Sequence, residues 1–288
     1  MDFKRVAGPF TFTEGPVWDG SGVLFSDIPT DRILRYDADT GDCTVRHDDT
    51  NGANGLKLDA RGRLYACEMN GRRIARYGGE YEVVVDRYRG NRFNSPNDLA
   101  IDSEGRIWFT DPFYDCDWED DDKELELDHR SVYRVDPADP PTLTRMTADT
   151  TNPNGLLVSP DGETLYVAQS DYDAHLELRA YPVTGEEPLP EFDVLHDFAP
   201  HRAIDGMCFD DEGHIVAAAG SDEGGPGPMI YVFTPAGRVV ETHPPPDPMP
   251  TNCCFGDADL RSLYLTGSDG YLYRARTDRT GYLGAPGG

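Results

Sequence analysis

The chain has 288 residues, with 53 acidic against 26 basic side chains and a formal net charge of −27. A field of that sign repels phosphate backbones and anionic lipid head groups, which argues against nucleic-acid and membrane-surface partners. Hydrophobic content of 38% is low, but 15 Tyr, 12 Phe and 3 Trp fall in regularly spaced apolar runs, which argues against disorder and for a folded chain.

The segment Met1-Asp2-Phe3-Lys4-Arg5-Val6-Ala7 lacks the apolar core of a secretory signal. No stretch approaches the roughly 18 apolar residues of a membrane-spanning helix. Cys43, Cys67, Cys116, Cys208, Cys253 and Cys254 form no CxxC pair, and several sit inside strand-like runs, where a free thiol packs as a small hydrophobe. A reduced, cytoplasmic protein is the expectation. The carboxylates are 37 Asp and 16 Glu and the cations 23 Arg and 3 Lys. Asp-rich, Lys-poor surfaces stay hydrated when concentrated salt screens their self-repulsion, so the composition points to high-salt adaptation.

One phrase recurs along the chain: a polar residue, an apolar run, a turn built on Asp and Gly, and a second apolar run. It begins with Glu14-Gly15-Pro16-Val17-Trp18-Asp19 and Val23-Leu24-Phe25. The second copy is Asn54-Gly55-Leu56-Lys57-Leu58-Asp59 with Leu64-Tyr65-Ala66-Cys67. The third is Asn97-Asp98-Leu99-Ala100-Ile101-Asp102 with Ile107-Trp108-Phe109-Thr110. Asn154-Gly155-Leu156-Leu157-Val158 with Leu165-Tyr166-Val167-Ala168 follows, then Asp205-Gly206-Met207-Cys208-Phe209 with Ile215-Val216-Ala217-Ala218. A looser sixth copy pairs Thr251-Asn252-Cys253-Cys254-Phe255 with Leu263-Tyr264-Leu265-Thr266. Each reads as a β-hairpin. A third strand usually follows, as in Arg32–Tyr36, Arg73–Tyr77, Ser131–Val135 and Met229–Phe233. The copies start 40, 43, 57, 51 and 46 residues apart. Strands alone at such periods predict an all-β chain, a six-bladed β-propeller with a central channel, as one domain over 1–288. Residues 2–12 are expected to supply the strand that closes the ring. The extra length in the third period is assigned to an acidic surface loop, Asp115 to Asp128, which lacks the ligand spacing of a calcium loop.

In a propeller the innermost strand of each blade lines the channel, and its first residue faces one mouth. That places Glu14, Asn54, Asn97, Asn154, Asp205 and Thr251 in a ring of side-chain oxygens without His or Cys. Such a set suits a hard divalent cation, Ca²⁺ or Mg²⁺, over a thiolate- or imidazole-seeking metal.

Glu14-Gly15-Pro16, Asn94-Ser95-Pro96-Asn97-Asp98, Phe109-Thr110-Asp111-Pro112, Pro153-Asn154-Gly155, Ser159-Pro160-Asp161-Gly162, Asp205-Gly206-Met207 and Leu263-Tyr264-Leu265-Thr266 resemble the gluconolactonase/regucalcin (senescence marker protein, SMP-30) family. The resemblance runs from about Phe10 to Tyr273. It implies a six-bladed propeller with one divalent metal in the channel and, in most characterised members, hydrolysis of sugar lactones. By motif position it implies Glu14, Asn154 and Asp205 as metal ligands and Asn97, with its neighbour Asp98, on the substrate side. The cofactor it implies is Ca²⁺ foremost, with Mg²⁺, Mn²⁺, Zn²⁺ or Fe²⁺ as alternatives. The animal branch carries an Arg two residues before this Asn, where the present chain has Ser95; Arg92 is the nearest arginine, and no Arg is carried over.

The residues agree with that chemistry. A lactone carbonyl gains negative charge as water attacks, and a nearby cation stabilises it. Asp205 is the candidate base for the attacking water and Asn97 the group that orients the lactone. A neutral sugar lactone is indifferent to the protein's field, and the protein is expected to act as a monomer or weak homo-oligomer. Tyr114 and Phe113 are candidates to stack on a sugar face, whereas core packing is the role expected of Trp18. No Gly-x-Ser-x-Gly elbow and no HExxH pair is present, and His201 is assigned to a loop. The alternatives are a phosphotriesterase-like hydrolase on the same propeller and a non-catalytic propeller that binds calcium or protein.

Overall fold

Thirteen to eighteen residues into the chain, Thr13–Trp18 forms an inner strand on which Gly22–Asp27, Arg32–Asp37 and Cys43–Asp48 pair outward in turn, all antiparallel. The structure, a computed structural model, describes residues 1–114, 116 and 124–284. Among these, six such four-stranded sheets follow one another. Their inner strands are Thr13–Trp18, Ala53–Leu58, Leu99–Ile101, Pro153–Val158, Ile204–Phe209 and Pro250–Gly256. Each inner strand contacts the next, and the sixth contacts the first, so the blades close into a ring. This is the six-bladed β-propeller that the repeat predicts. In the sixth blade the outermost strand is Lys4–Ala7, paired to Leu272–Arg276 with Arg5 opposite Tyr273. The N-terminal segment closes the ring as expected.

The recurring Asp-Gly turns have a concrete cause. Asp102 accepts the backbone N–H groups of Glu104 and Arg106 at 3.0 Å, and Gly105 takes a φ of +76° that only glycine adopts without strain. Asp59 repeats the pattern on Arg61 and Arg63 at 3.0 and 2.9 Å. Between neighbouring blades the apolar faces merge. Ala100, Trp108 and Val132 of the third blade pack with Leu156, Leu165, Val167 and Tyr181 of the fourth. The fully buried Trp108 still satisfies its indole N–H on Asp102 at 2.8 Å.

Two elements lie outside the repeat. A two-stranded ribbon, Arg87–Tyr88 with Asn91–Arg92, precedes the third blade and was not legible from the phrase. Of the expected acidic loop, Asp115 and residues 117–123 lie outside the described residues; Glu124–Glu126 are exposed and Leu127 is buried. The only helix among the described residues is the short 3₁₀ turn Ile28–Thr30, and no helix is long and apolar enough to cross a membrane. Cys43, Cys67, Cys208, Cys253 and Cys254 are free thiols, with the Cys208 and Cys253 Sγ atoms 3.6 Å apart.

Inner strands approach closely. A Cβ at Gly155 would overlap the carbonyl oxygen of Asp205 on the next blade. Gly155→Ala is therefore expected to cost about 1–3 kcal/mol in denaturant unfolding, because the obstacle is backbone and cannot swing aside. The surplus of 53 acidic over 26 basic residues gives a second expectation. Repulsion among them is screened once the Debye length falls to about 3 Å near 1 M salt. Thermal midpoints should rise from dilute buffer to molar salt; a flat or falling profile would remove the high-salt reading.

Candidate active site

The side chains that enter the channel stand at irregularities of the inner strands. Register shifts fall between Glu14 and Val17, between Ala53 and Leu56, between Pro153 and Leu156, and between Ile204 and Met207. A bulge re-aims the residue it contains. Here the re-aimed residues are Asn54, Asn154 and Asp205, while Glu14 stands at the edge of its shift, still paired with Ser26. In the third blade a different device serves. The Asp111 carboxylate accepts the backbone N–H groups of Asn94 and Ser95 at 2.9 and 2.8 Å, and the Asn97 N–H is held by the Thr110 carbonyl at 3.0 Å. The Asn-Ser-Pro-Asn-Asp motif is thus a scaffold that delivers Asn97 to the channel.

These five residues, Glu14, Asn54, Asn97, Asn154 and Asp205, line one cavity of ≈ 240 Å³. Four of the five are at least nine-tenths buried, and the Asp205 side chain retains 14% exposure. Thr251, the expected sixth member, is not in the lining. Its hydroxyl turns to the carbonyl of Thr13 at 2.7 Å and to Thr266 Oγ1 at 2.9 Å, because the register shift between Pro250 and Asn252 rotates it away. Asn252 takes over one step deeper, donating to Glu14 Oε2 at 3.1 Å. Asp98 likewise lies below the lining. It follows Asn97, so its side chain projects down the channel, accepting the Leu99 N–H at 2.8 Å and a bond from Asn252.

The electrostatics follow from three carboxylates in one buried space. Burial first, then the charges of Asp205 and Asp98, push the Glu14 carboxyl well above its ordinary range; the Gly15 N–H and Asn252 work against this. Burial also raises Asp98, offset by Lys57 and by its hydrogen bonds. Asp205 is raised by burial and held back by the Arg202 guanidinium and by Asn154. Arg202, which the sequence reading passed over, is the single cation among the described lining residues. It pairs with Asp205 and is anchored by the carbonyls of Gly220 and Pro250, both at 3.0 Å.

The floor is rich in oxygen, as the ring predicted, but the walls are not. Phe12, Ile28, Met69, Tyr114, Tyr172, Ile204 and Met249 make up much of them. Tyr114 reaches the cavity as expected. Phe113 does not; Arg130 covers its ring and its N–H is held by Asn152. Trp18 stacks on Tyr264 in the core toward the other end of the channel. His201 lies against Gly224 and Gly225, in the loop position assigned to it.

Which residues could hold a cation can be judged from the donors. Glu14, Asn154, Asp205 and Asn97 offer hard oxygens, and the buried Asn54 Oδ1 has no hydrogen-bond partner among the described residues. Carboxylates that burial and mutual repulsion push up are what a missing positive charge would relieve, so the set fits a hard divalent cation. A second acidic cluster, Asp210, Glu212 and His214, lies outside the channel. There Asp210 already accepts two backbone N–H groups, His214 and Arg279, as in the other Asp turns.

The family model described as SMP-30/Gluconolactonase/LRE-like region matches residues 12–269. The chain is similar to a gluconolactonase from Zymomonas mobilis subsp. mobilis, 30% identical over 302 residues that cover 96% of this chain and 81% of that protein. It is 29% identical over 267 residues to pentonolactonase XacC of Haloferax volcanii, covering 89% of this chain and 82% of that one. Among solved structures, a gluconolactonase from Xanthomonas campestris superposes with a TM-score of 0.84 at 32% identity, with 95% of this chain and 88% of that chain covered.

The raised Glu14 carboxyl makes a signed prediction for the cation-free protein. Folded Glu14 keeps its proton above 4.5, the value of the free group, so the fold binds more protons than the unfolded chain in that window. Its contribution is favourable below that value and is lost as pH rises through the raised one. In chelator, Glu14→Gln should therefore match the parent in thermal midpoint near pH 4 and exceed it near pH 8. A difference independent of pH would mean that Glu14 is not strained by its charge.

Proposed function

Since the chain belongs to the SMP-30/gluconolactonase/LRE-like family, we propose that it is a divalent-cation-dependent lactonase that opens a sugar lactone to the aldonic acid. The observation that carries this reading is the meeting of Glu14, Asn154 and Asp205 with Asn97 in one buried cavity. Glu14, Asn154 and Asp205 would hold the cation, Ca²⁺ foremost, because all three present hard oxygens. When bound, such an ion supplies Lewis-acid polarisation of an ester carbonyl.

The chain's own groups do the rest. Asp205, carrying Arg202 on one side and Asn154 on the other, takes the proton of the attacking water. The proton passes to the ring oxygen as the C–O bond breaks, leaving a hydroxyl on the chain and a carboxylic acid at its end. Asn97 offers its side-chain N–H to the lactone oxygen that gains charge. Asp98 acts through Asn252 and Glu14 and not by contact, since it sits under the floor. Tyr114 and Tyr172 give flat faces for the C–H side of a sugar ring, and the apolar wall keeps bulk water from the carbonyl. A neutral lactone enters against no electrostatic penalty despite the net charge of −27.

Two measurements test the reading. Asp205→Asn keeps the shape and one ligand oxygen but removes the base, so lactone hydrolysis should fall by about 10²-fold or more. Normal turnover with the cation still bound would assign the base elsewhere. Specificity constants for pentono- and hexonolactones, with and without chelator, are expected to exceed those for a long-chain acyl-homoserine lactone and an organophosphate triester. If either of the latter is turned over best, the sugar-lactone reading fails even with an intact cation site.

A further inference from the structure

Asn54 is the one floor residue that neither the motif nor the proposed chemistry uses. Its blade is the second and that of Asp205 the fifth, so in a ring of six the two stand across the channel from one another and line the same cavity. The Asn54 side chain is 4% exposed. Its Nδ2 donates to Met69 Sδ at 3.2 Å, and its Oδ1 is buried without a hydrogen-bond partner among the described residues. A thioether sulfur can only accept, so it fixes which end of the carboxamide faces it. What remains unpaired on this cavity-lining residue is an acceptor.

An acceptor left alone in a buried site is destabilising, and a ligand donor would recover that loss. The reacting part of a lactone, its carbonyl and ring oxygen, carries acceptors only. Among the substrate's own groups the donor is then a hydroxyl substituent, on the part of the lactone away from the carbonyl that Asp205 serves. Two other polar groups of the lining are committed: Ser170 Oγ donates to the Ile204 carbonyl at 2.8 Å, and Arg202 is engaged by two carbonyls and Asp205. We propose that Asn54 is a specificity-determining residue, whose Oδ1 accepts a hydrogen bond from a hydroxyl of the lactone and selects hydroxylated over bare rings. This rests on the lactonase reading above.

The test compares the aldonolactone turned over best with δ-valerolactone, a six-membered lactone without hydroxyls. Asn54→Leu should lower kcat/KM for the aldonolactone about tenfold or more, mainly through KM, and change that for δ-valerolactone by less than about threefold, since each tenfold corresponds to one lost interaction of ordinary hydrogen-bond size. Asn54→Asp, an acceptor of the same shape, should keep the preference for the hydroxylated ring, and it serves also if the leucine variant does not fold. Calcium affinity of the substrate-free protein, by titration calorimetry, should be unchanged in Asn54→Leu. Equal losses on both lactones, or loss of the preference in Asn54→Asp, would overturn the proposal. Weaker calcium binding in Asn54→Leu would overturn it too, by making Asn54 a cation ligand. A parent protein that hydrolyses no lactone would instead refute the underlying reading.

Discussion

At the neck of the channel four of the six inner strands meet the next blade so closely that they leave no room for a side chain of their own. Four of the six copies place glycine there, one residue after the polar group that enters the cavity: Gly15, Gly55, Gly155 and Gly206. Each receives the next blade. A Cβ at Gly15 would overlap the Asn54 carbonyl, one at Gly55 would lie 2.7 Å from the Asn97 carbonyl, one at Gly155 would overlap the Asp205 carbonyl, and one at Gly206 the Asn252 carboxamide. The polar ring is thus interlocked with the packing of the blades. A site residue is held by the absence of a side chain on its neighbour, which is why the carboxylates and carboxamides can be brought together at all.

Bringing them together is costly. Glu14, Asp98 and Asp205 share a buried space in which burial, with carboxylate repulsion added, raises Glu14 and Asp98, and burial raises Asp205. The fold answers with few donors: Arg202 for Asp205, Asn252 for Glu14 and Asp98, and Lys57 approaching Asp98 from the far side. Local consistency between sequence and fold fails here, and such failures concentrate where a protein works. The apolar walls deepen the strain, since they remove the water that would otherwise solvate these charges.

Much of this was legible in the chain. The spacing of the hairpin phrase gave six blades, the closing strand and the identity of the channel residues, because in a propeller sequence position maps directly to height along the channel. Thr251 shows where that mapping breaks. The sixth copy shifts register at Pro250, and the polar position passes from Thr251 to Asn252. A signal existed: the second residue of the copies is Gly in four cases but Asp98 in the third and Asn252 in the sixth. Those two side chains fill the space that the glycines vacate. Arg202 left no such trace. It stands outside the phrase and reaches the site through the carbonyls of Gly220 and Pro250, contacts between segments that no local pattern records. The apolar character of the walls was hidden for the same reason, since Phe12, Ile28, Met69 and Met249 come from the connections between strands.

Aspartate does two different jobs in this chain, and the difference lies in what its oxygens receive. In the turns of the blades, Asp59, Asp102 and Asp210 each accept a pair of backbone N–H groups on one oxygen and an arginine on the other. Their charge is consumed by the fold, and the nearness of Glu212 and His214 to Asp210 adds no site, because the lone pairs that a cation would need are already taken. In the channel the balance is reversed. Glu14 faces the charges of Asp205 and Asp98 with few donors, Asp205 is raised by burial beyond what Arg202 and Asn154 offset, and Asn54 Oδ1 has no partner among the described residues. A carboxylate is therefore marked as functional less by its burial than by the shortfall of donors around it. By that criterion the cavity at the glycine neck, and not the acidic surface, is the candidate site.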